Sequence, residues 1–175
     1  VYIPAGVPTF HLESAKAQFE ASVKLLRGID GRFAVPDDML LSIDALDAFV
    51  SSVEPDLVVF QNLTFANSAY ISAVLRRVKC PILLWTLREP VIDGERLRLN
   101  SLTGAYSAAN AMRAFDGRRF EYVFGAPDEE RVRGAIAACT AAAELIKNMR
   151  TLKMSAVGHT PQGFGFGRAL DAELM

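Results

Sequence analysis

The chain has 175 residues, of which 51% are hydrophobic and 22% are charged, and its formal net charge is −1. This length is that of one ordinary domain with a substantial core, and the balanced charge excludes the basic surface that binds nucleic acid or an anionic membrane. Two cysteines in no metal or redox spacing, the lack of a signal peptide and the lack of an apolar run of about 18 residues are typical of a cytoplasmic protein.

Short apolar runs alternate with amphipathic segments through the first half of the chain. Leu12–Arg27 repeats apolar residues at helical spacing, and Ser42 is a favourable N-cap for the next helix. Leu57–Phe60 is apolar without alternation, which indicates a strand that is covered on both faces. In chain order, the predicted elements are strand Val1–Pro4, helix Leu12–Arg27, strand Arg32–Pro36, a helix from Ser42 to Val53, strand Leu57–Phe60 and a helix from Asn67 or Ser68 to about Val78.

The second half continues this alternation and contains the longest predicted helix. Asp128–Lys153 carries acidic residues in its first turn and basic residues near its end, an order that the helix dipole favours. At about 1.5 Å per residue it would be roughly 39 Å long, more than one small sheet needs, so we expect it to reach a neighbour. Its apolar stripe is Val132, Ile136, Cys139, Ala143 and Ile146. The remaining elements are strand Ile82–Trp85, a helix from about Ser101 to Phe115, strand Phe120–Phe124 and a candidate strand over Leu152–Val157.

Five strands that alternate with helices predict an α/β fold with a doubly wound parallel sheet. Short loops and right-handed crossovers favour a flavodoxin-like (Rossmann-like) arrangement of three layers, αβα. We assign residues 1–153 to this domain. Residues 154–175 contain a glycine-rich stretch, Gly158–Gly167, that cannot form a packed unit alone, and we assign them to the start of a further, incomplete domain.

Several familiar motifs are missing from the sequence. The loop after the first strand holds a single glycine, Gly6, so neither a dinucleotide fingerprint nor a Walker loop is present. No nucleophile elbow is found, and the two histidines lie far apart, with His11 interpreted as a loop or helix-start residue rather than a ligand. Asp37 and Asp38 could hold a hard cation, but acidic residues are common in turns, and we interpret them as a turn before the next helix. We therefore assign no catalytic residue and no metal ligand to this chain.

Polar and aromatic side chains follow two of the predicted strands, at the edge of the sheet where ligands bind in this class of fold. The amide of Gln61 suits a polyol, since each sugar hydroxyl both donates and accepts, or else belongs to a turn. Trp85 offers a face on which a sugar stacks, or covers the core. Glu89 and Arg98 are either ligand contacts or an ion pair that fixes the loop, and Asn100 is either a ligand contact or a helix cap. The convergence of these residues on adjacent strand ends favours a ligand site.

Four segments of the chain resemble the superfamily of L-fucose isomerase and L-arabinose isomerase, and in particular its fucose-isomerase-like members. They are Asp56–Ala66, Pro81–Pro90, Arg96–Gly104 and Gly163-Phe164, and the W-x-x-x-E-P and R-L-N-S-L-x-G patterns together are fairly specific. The resemblance covers essentially the whole chain and implies the N-terminal domain of a metal-dependent aldose–ketose isomerase that acts on a monosaccharide such as L-fucose or L-arabinose. In that family a divalent metal, typically Mn²⁺, bridges two substrate oxygens, and carboxylates move the proton through an enediol.

The resemblance also implies a division of roles along the full protein. The metal ligands, two acids and a histidine, come from the middle and C-terminal domains, so we expect this chain to bind no metal and to be inactive alone. The N-terminal domain contributes to the substrate pocket, often that of an adjacent subunit in a homo-oligomer. Trp85 matches the pocket aromatic of the family, whereas the loop Ala5–Phe10 lacks the arginine or glutamine of a polar contact there. The residues from which we expect pocket or subunit contacts are Gln61, Trp85, Glu89 and Asn100.

Two other functions fit the same sequence. A non-catalytic sugar-binding domain would bind its sugar without a metal. A purely structural, oligomer-forming domain is favoured by the long alanine-rich helix and by Phe164 and Phe166 in the tail.

Overall fold

The computed structural model describes residues 1–116, 120–153 and 155 of the chain. Within these residues, parallel strands form one four-stranded sheet in the order β1-β2-β3-β4. The strands are β1 (Tyr2–Ala5), β2 (Val58–Asn62), β3 (Ile82–Thr86) and β4 (Glu121–Phe124). The helices are α1 (Leu12–Ile29), α2 (Ile43–Ser51), α3 (Ser68–Arg77), α4 (Ser101–Asp116) and α5 (Glu130–Thr151).

Helices cover both faces of the sheet. Alternate residues of a strand point to opposite faces, so Phe60 and Leu84 pack against α2, α3 and α4, whereas Val59 and Leu83 pack against α1 and α5. Every residue of β1, β2 and β3 is buried, which explains why their apolar runs show no alternation. The predicted three-layer, flavodoxin-like α/β fold is confirmed.

The predicted strand over Arg32–Pro36 is wrong. The segment that contains it passes beside the outer edge of β1, where the Tyr2 amide donates to the Ala34 carbonyl at 2.9 Å. Further along, the Leu40 amide donates to the Pro4 carbonyl at 3.0 Å, and only an isolated bridge forms there. The proline within the segment has no N–H to donate, and the aspartates after it turn the chain, so the ladder is interrupted.

The predicted helix caps are correct at two positions. The Ser42 hydroxyl accepts from the Ala45 amide at 3.1 Å, and the Asn67 side chain accepts from the Ala69 amide at 3.0 Å. The strand ends are predicted too early, because β2 and β3 run on to Asn62 and Thr86. Gln61 is therefore a strand residue rather than a loop residue, whereas Trp85 is a strand residue as predicted.

The longest helix is confirmed, but its apolar stripe is only partly buried. Val132 and Ile136 are fully buried, Cys139 is half-buried and Ile146 is exposed. The last turns of α5 thus carry apolar side chains that are exposed to solvent. The candidate strand over Leu152–Val157 and the domain assigned to 154–175 lie largely outside the described residues. None of the described helices has the length and apolar character needed to cross a bilayer.

Candidate functional site

The carboxyl ends of the strands meet at one edge of the sheet, and two of the loops there enclose a cleft. The β1–α1 loop (residues 6–11) and the β3–α4 loop (residues 87–100) form its walls. The cleft has a volume of about 470 Å³ and is lined by residues 9–11 on one wall and by residues 93 and 95–98 on the other. Ligands bind at this edge in open α/β sheets, so the cleft is the candidate site.

A larger cavity, of about 520 Å³, opens at the opposite edge, near the amino ends of β1 and β2. Four of the charged groups around it are paired, Arg32 with Asp30 at 2.7 Å and Lys147 with Asp56 at 2.7 Å. Paired charges leave few groups for a ligand, and the loops that hold ligands in parallel sheets lie at the other edge. We therefore place the candidate site in the cleft.

Hydrogen bonds and ring contacts tie the walls of the cleft together. The His11 amide donates to the Arg98 carbonyl at 3.0 Å, and the Phe65 amide, from the loop after β2, donates to the Leu99 carbonyl at 2.8 Å. The rings of Phe10 and Phe65 also contact each other, with centroids 6.2 Å apart. Because these contacts link three loops to one another, they hold the backbone that carries the side chains of the cleft.

His11 lies in the cleft at the start of α1, as predicted for a residue at a helix start. Its Nδ1 accepts a hydrogen bond from the Ser14 amide at 3.1 Å and so caps the helix. Because Nδ1 accepts, we assign the proton of the neutral ring to Nε2, which then remains a donor. The positive end of the α1 dipole lies at the same place. This wall of the cleft therefore offers a donor and a positive potential.

Two arginines lie on the other wall. The Arg96 guanidinium stacks over the Phe10 ring, 4.6 Å from its centroid, and contacts no carboxylate among the described residues. The nearest carboxylate to Arg98 is Asp93, at 4.0 Å, the outer limit of an ion pair. Asp93 is itself engaged, since its Oδ1 accepts from the Glu95 amide at 3.1 Å. Within the described part of the chain, both guanidinium groups therefore keep donors for a ligand.

Glu89 and Asn100, two of the predicted site residues, are brought together. The Glu89 carboxylate accepts from the amides of Leu99 and Asn100, at 2.5 and 3.2 Å, and so closes the β3–α4 loop at its base. Asn100 has a left-handed φ of 53°, and its Oδ1 accepts from the hydroxyl of Thr103, in the first turn of α4, at 2.7 Å. The ion pair between Glu89 and Arg98, one of the two alternatives considered for these residues, does not form, because the carboxylate binds the backbone instead. Any contact of Glu89 or Asn100 with substrate stays a prediction.

Gln61 and Trp85, the other two predicted residues, are register neighbours on β2 and β3 and lie away from the cleft. Trp85 is fully buried, and its indole N–H donates to the Gly125 carbonyl at 2.9 Å. Gln61 is also fully buried, where Oε1 accepts from the Tyr2 hydroxyl at 2.5 Å and Nε2 donates to the Ser22 hydroxyl at 2.9 Å. Burial raises the pKa of the Tyr2 phenol above its usual value. Both side chains have structural roles here, and their contact with a sugar stays a prediction.

Sequence reasoning missed a charged cluster at the ends of β3 and β4. The Glu129 carboxylate accepts from Arg88 at 2.9 Å, from the Ala126 amide at 2.7 Å and from Arg131 at 2.9 Å. These donors, Arg88 first, lower the pKa of Glu129 to about 2. Both arginines lie over the Phe124 ring, at 4.9 and 5.4 Å from its centroid. The cluster joins the β3–α4 loop to the start of α5, and its partners are too far apart in the chain for a local motif to show it.

The described residues do not fit the metal that the resemblance implies. No group of three or more His, Cys, Asp or Glu side chains that could hold a metal ion occurs in the part of the chain that the structure describes. The expected donor set for Mn²⁺, two acids and a histidine, is therefore not assembled by these residues.

Comparison with known proteins gives three informative relatives, each bearing the name sulfoquinovose isomerase. The chain is 62% identical over 174 residues to the protein from Clostridium sp. (strain MSTE9), 34% identical over 177 residues to that of Priestia aryabhattai, and 32% identical over 176 residues to that of Alkalicoccus urumqiensis. Each alignment covers 99% of this chain but only 39% of the relative, so the chain spans about two-fifths of the length of these proteins. No protein-family model matches the chain.

Proposed function

We propose that this chain is the N-terminal domain of a sugar isomerase that acts on sulfoquinovose, and that it contributes to the substrate pocket and to subunit contacts. The observation that carries the proposal is the 62% identity, across 99% of the chain, to a protein named sulfoquinovose isomerase. The more distant relatives bear the same name. These names favour sulfoquinovose over the L-fucose or L-arabinose of the superfamily that the sequence resembles.

The proposed reaction interconverts an aldose and its ketose through an enediol, with a proton moved between two adjacent carbons. In this proposal the divalent metal, Mn²⁺ or another such ion, is bound by the middle and C-terminal domains, as the resemblance to the superfamily implies. The proposed role of this chain is to bind the sugar in the cleft and to orient it. We further propose a homo-oligomer in the cytoplasm, with no nucleic acid or membrane as a partner.

The test uses the longest native polypeptide that contains this chain. The purified protein is dialysed against a chelator, supplied with Mn²⁺ and incubated with sulfoquinovose, and the anomeric proton signals of the aldose are followed by NMR. We expect conversion of sulfoquinovose to its ketose, and slower conversion of L-fucose and L-arabinose. No conversion of any of these sugars with Mn²⁺, Mg²⁺ or Co²⁺ would contradict the proposal.

A second candidate role, the formation of subunit contacts without ligand binding, is favoured by one observation. The last turns of α5 expose apolar side chains, with Leu145, Met149 and Leu152 between 60% and 64% exposed. Sedimentation of the 175-residue chain together with sugar calorimetry separates the roles. Self-association without sugar binding favours the structural role, whereas a monomer that binds sugar without metal favours a non-catalytic binding domain.

A further inference from the structure

The cleft between the β1–α1 and β3–α4 loops presents donors suited to an anionic group that has several equivalent oxygens. A sulfonate carries one negative charge and three acceptor oxygens, and it has no proton to donate near neutral pH. Guanidinium groups match such a group well, since their planar N–H edge donates two parallel hydrogen bonds to neighbouring oxygens. The guanidinium donors of the cleft therefore match the acceptor oxygens of a sulfonated sugar.

Arg96 is held ready for such a contact by an aromatic ring. The Phe10 ring covers one face of its guanidinium at 4.6 Å, which restricts the side chain without using its N–H groups. These groups lie in the guanidinium plane, and no described carboxylate accepts from them. The stack therefore orients the cation and leaves its donors free.

Arg98 is tied to the same place through its backbone. Its carbonyl accepts from the His11 amide at 3.0 Å, which keeps this part of the loop against the N-terminal end of α1. Its guanidinium is 4.0 Å from Asp93, and both side chains are partly exposed, so the ion pair is weak and easily replaced by a ligand. The α1 dipole adds a positive potential at this wall.

The cleft also contains acceptors, and these argue against a general anion site. Asp93 and Glu95 balance the charges of Arg96 and Arg98 on the same wall. Two carboxylates repel a bare multivalent anion such as phosphate, but they accept hydrogen bonds from sugar hydroxyls. A ligand that carries both an anionic group and hydroxyls can bind the arginines with the first and the carboxylates with the second.

We infer that this cleft binds the sulfonate end of a sulfonated monosaccharide, with Arg96 and Arg98 donating to the sulfonate and with Asp93 or Glu95 accepting from hydroxyls. The inference rests on the proposed function for the choice of sugar. In sulfoquinovose the sulfonate is on the carbon most distant from the two carbons that exchange the carbonyl. A domain that holds no metal can therefore bind this end of the sugar while another domain carries out the reaction.

The test compares two sugars in the native polypeptide that contains this chain. Sulfoquinovose and quinovose differ only in the sulfonate, so the KM for each reports whether a variant has lost sulfonate recognition. We expect Arg96→Gln and Arg98→Gln each to raise the KM for sulfoquinovose by about 10- to 100-fold, the range for one charge-assisted hydrogen bond, with kcat/KM for quinovose unchanged. Arg96→Lys should recover part of the loss. Arg27→Gln, in the last turn of α1 and exposed, is the matched control.

The outcomes separate this inference from the proposed function. If both variants convert sulfoquinovose with an unchanged KM, the sulfonate site is overturned and the isomerase proposal stands. The same conclusion follows if kcat/KM falls equally for the two sugars. If neither sugar is converted, the isomerase proposal fails, and calorimetric titration with sulfoquinovose tests the site alone. Binding that is about tenfold weaker in Arg96→Gln than in Arg27→Gln supports the site. Equal binding in these variants, or no binding to the unmodified protein, overturns it.

Discussion

Glu129 is a carboxylate whose ionised form is favoured by the hydrogen bonds around it. Its hydrogen bonds from Arg88 and the Ala126 amide, with Arg131 beside it, lower its pKa from the ordinary 4.5 to about 2. Because the folded pKa is the lower one, the ionised carboxylate stabilises the fold above the ordinary pKa, and this stabilisation is lost as the pH falls from there to about 2. We expect Glu129→Gln to lower the thermal midpoint at neutral pH and to flatten its decline in acid, as measured by circular dichroism.

Glu130 provides the matched control for this prediction. It is the next residue and the first residue of α5, and its side chain forms no hydrogen bond or ion pair with another described residue. Glu130→Gln should therefore keep the pH dependence of the unmodified chain. The same acid profile in both variants would show that the Glu129 cluster does not stabilise the fold.

At the scale of single residues, the sequence predicted which side chains gather near the strand ends. It did not predict the direction in which Gln61 and Trp85 point. Buried strands lack alternation, so periodicity gave no sign that β2 continues to Asn62 and β3 to Thr86. The extra residues of β2 make Gln61 part of the pleat, and both Gln61 and Trp85 face the layer of α1 and α5 rather than the loops. The contact between Phe10 and Arg96 was equally hidden, because it joins two loops that only the folded sheet brings together.

At the scale of the elements, a glycine of α4 lies close against the carboxyl end of β2. A Cβ added at Gly104 would lie 2.7 Å from Asn62 Nδ2 and 3.0 Å from the Ala66 amide nitrogen, and Asn62 is fully buried. Replacing glycine by alanine in a helix ordinarily stabilises it, but here we expect overpacking to dominate. Gly104→Ala should lower the free energy of unfolding in urea by about 1–3 kcal/mol.

Gly134, a glycine of α5, tests the same substitution at a position where the added Cβ meets no neighbouring atom. Nothing lies within 4 Å of a Cβ built on Gly134 in α5. Gly134→Ala should therefore raise the free energy of unfolding by about 0.5–1 kcal/mol, the ordinary gain in helix propensity. If Gly104→Ala were stabilising as well, the Asn62 side chain would have to move without cost, contrary to the packing described.

The elements themselves were largely predictable, because helix signals are local. Ser42 and Asn67 each bond the first turn of their helix, as their side chains and positions indicate. The failed strand at Arg32–Pro36 has an equally physical cause. A short extended segment becomes a strand only if its neighbour can continue the ladder, and a proline followed by a turn prevents this beside β1.

For the whole molecule, Trp85 is an intrinsic probe of the assembled layers. It is the only tryptophan of the chain, is fully buried and donates its indole N–H to the Gly125 carbonyl. We expect the native emission maximum to lie at shorter wavelength than in urea, and the loss of this shift to coincide with the loss of helical circular dichroism. Transitions at different urea concentrations would show that the layer around Trp85 separates before the helices unfold.

The same emission also tests the role predicted for Trp85 from the sequence. Addition of sulfoquinovose should leave the emission unchanged if Trp85 acts only within the core. A saturable change in the 175-residue chain would instead support a contact between the sugar and this ring. Trp85→Phe removes the tryptophan signal and supplies the baseline for both measurements.

The order of strands in the sheet has a consequence for biosynthesis. The four described strands are neighbours in the same order in which they occur along the chain. No strand has to enter between two that are already paired, so each one joins an open edge as it leaves the ribosome, where domains generally fold as units during synthesis. At every stage the edge at which the sheet grows belongs to the strand made most recently, and that strand is where a chaperone would meet the nascent chain.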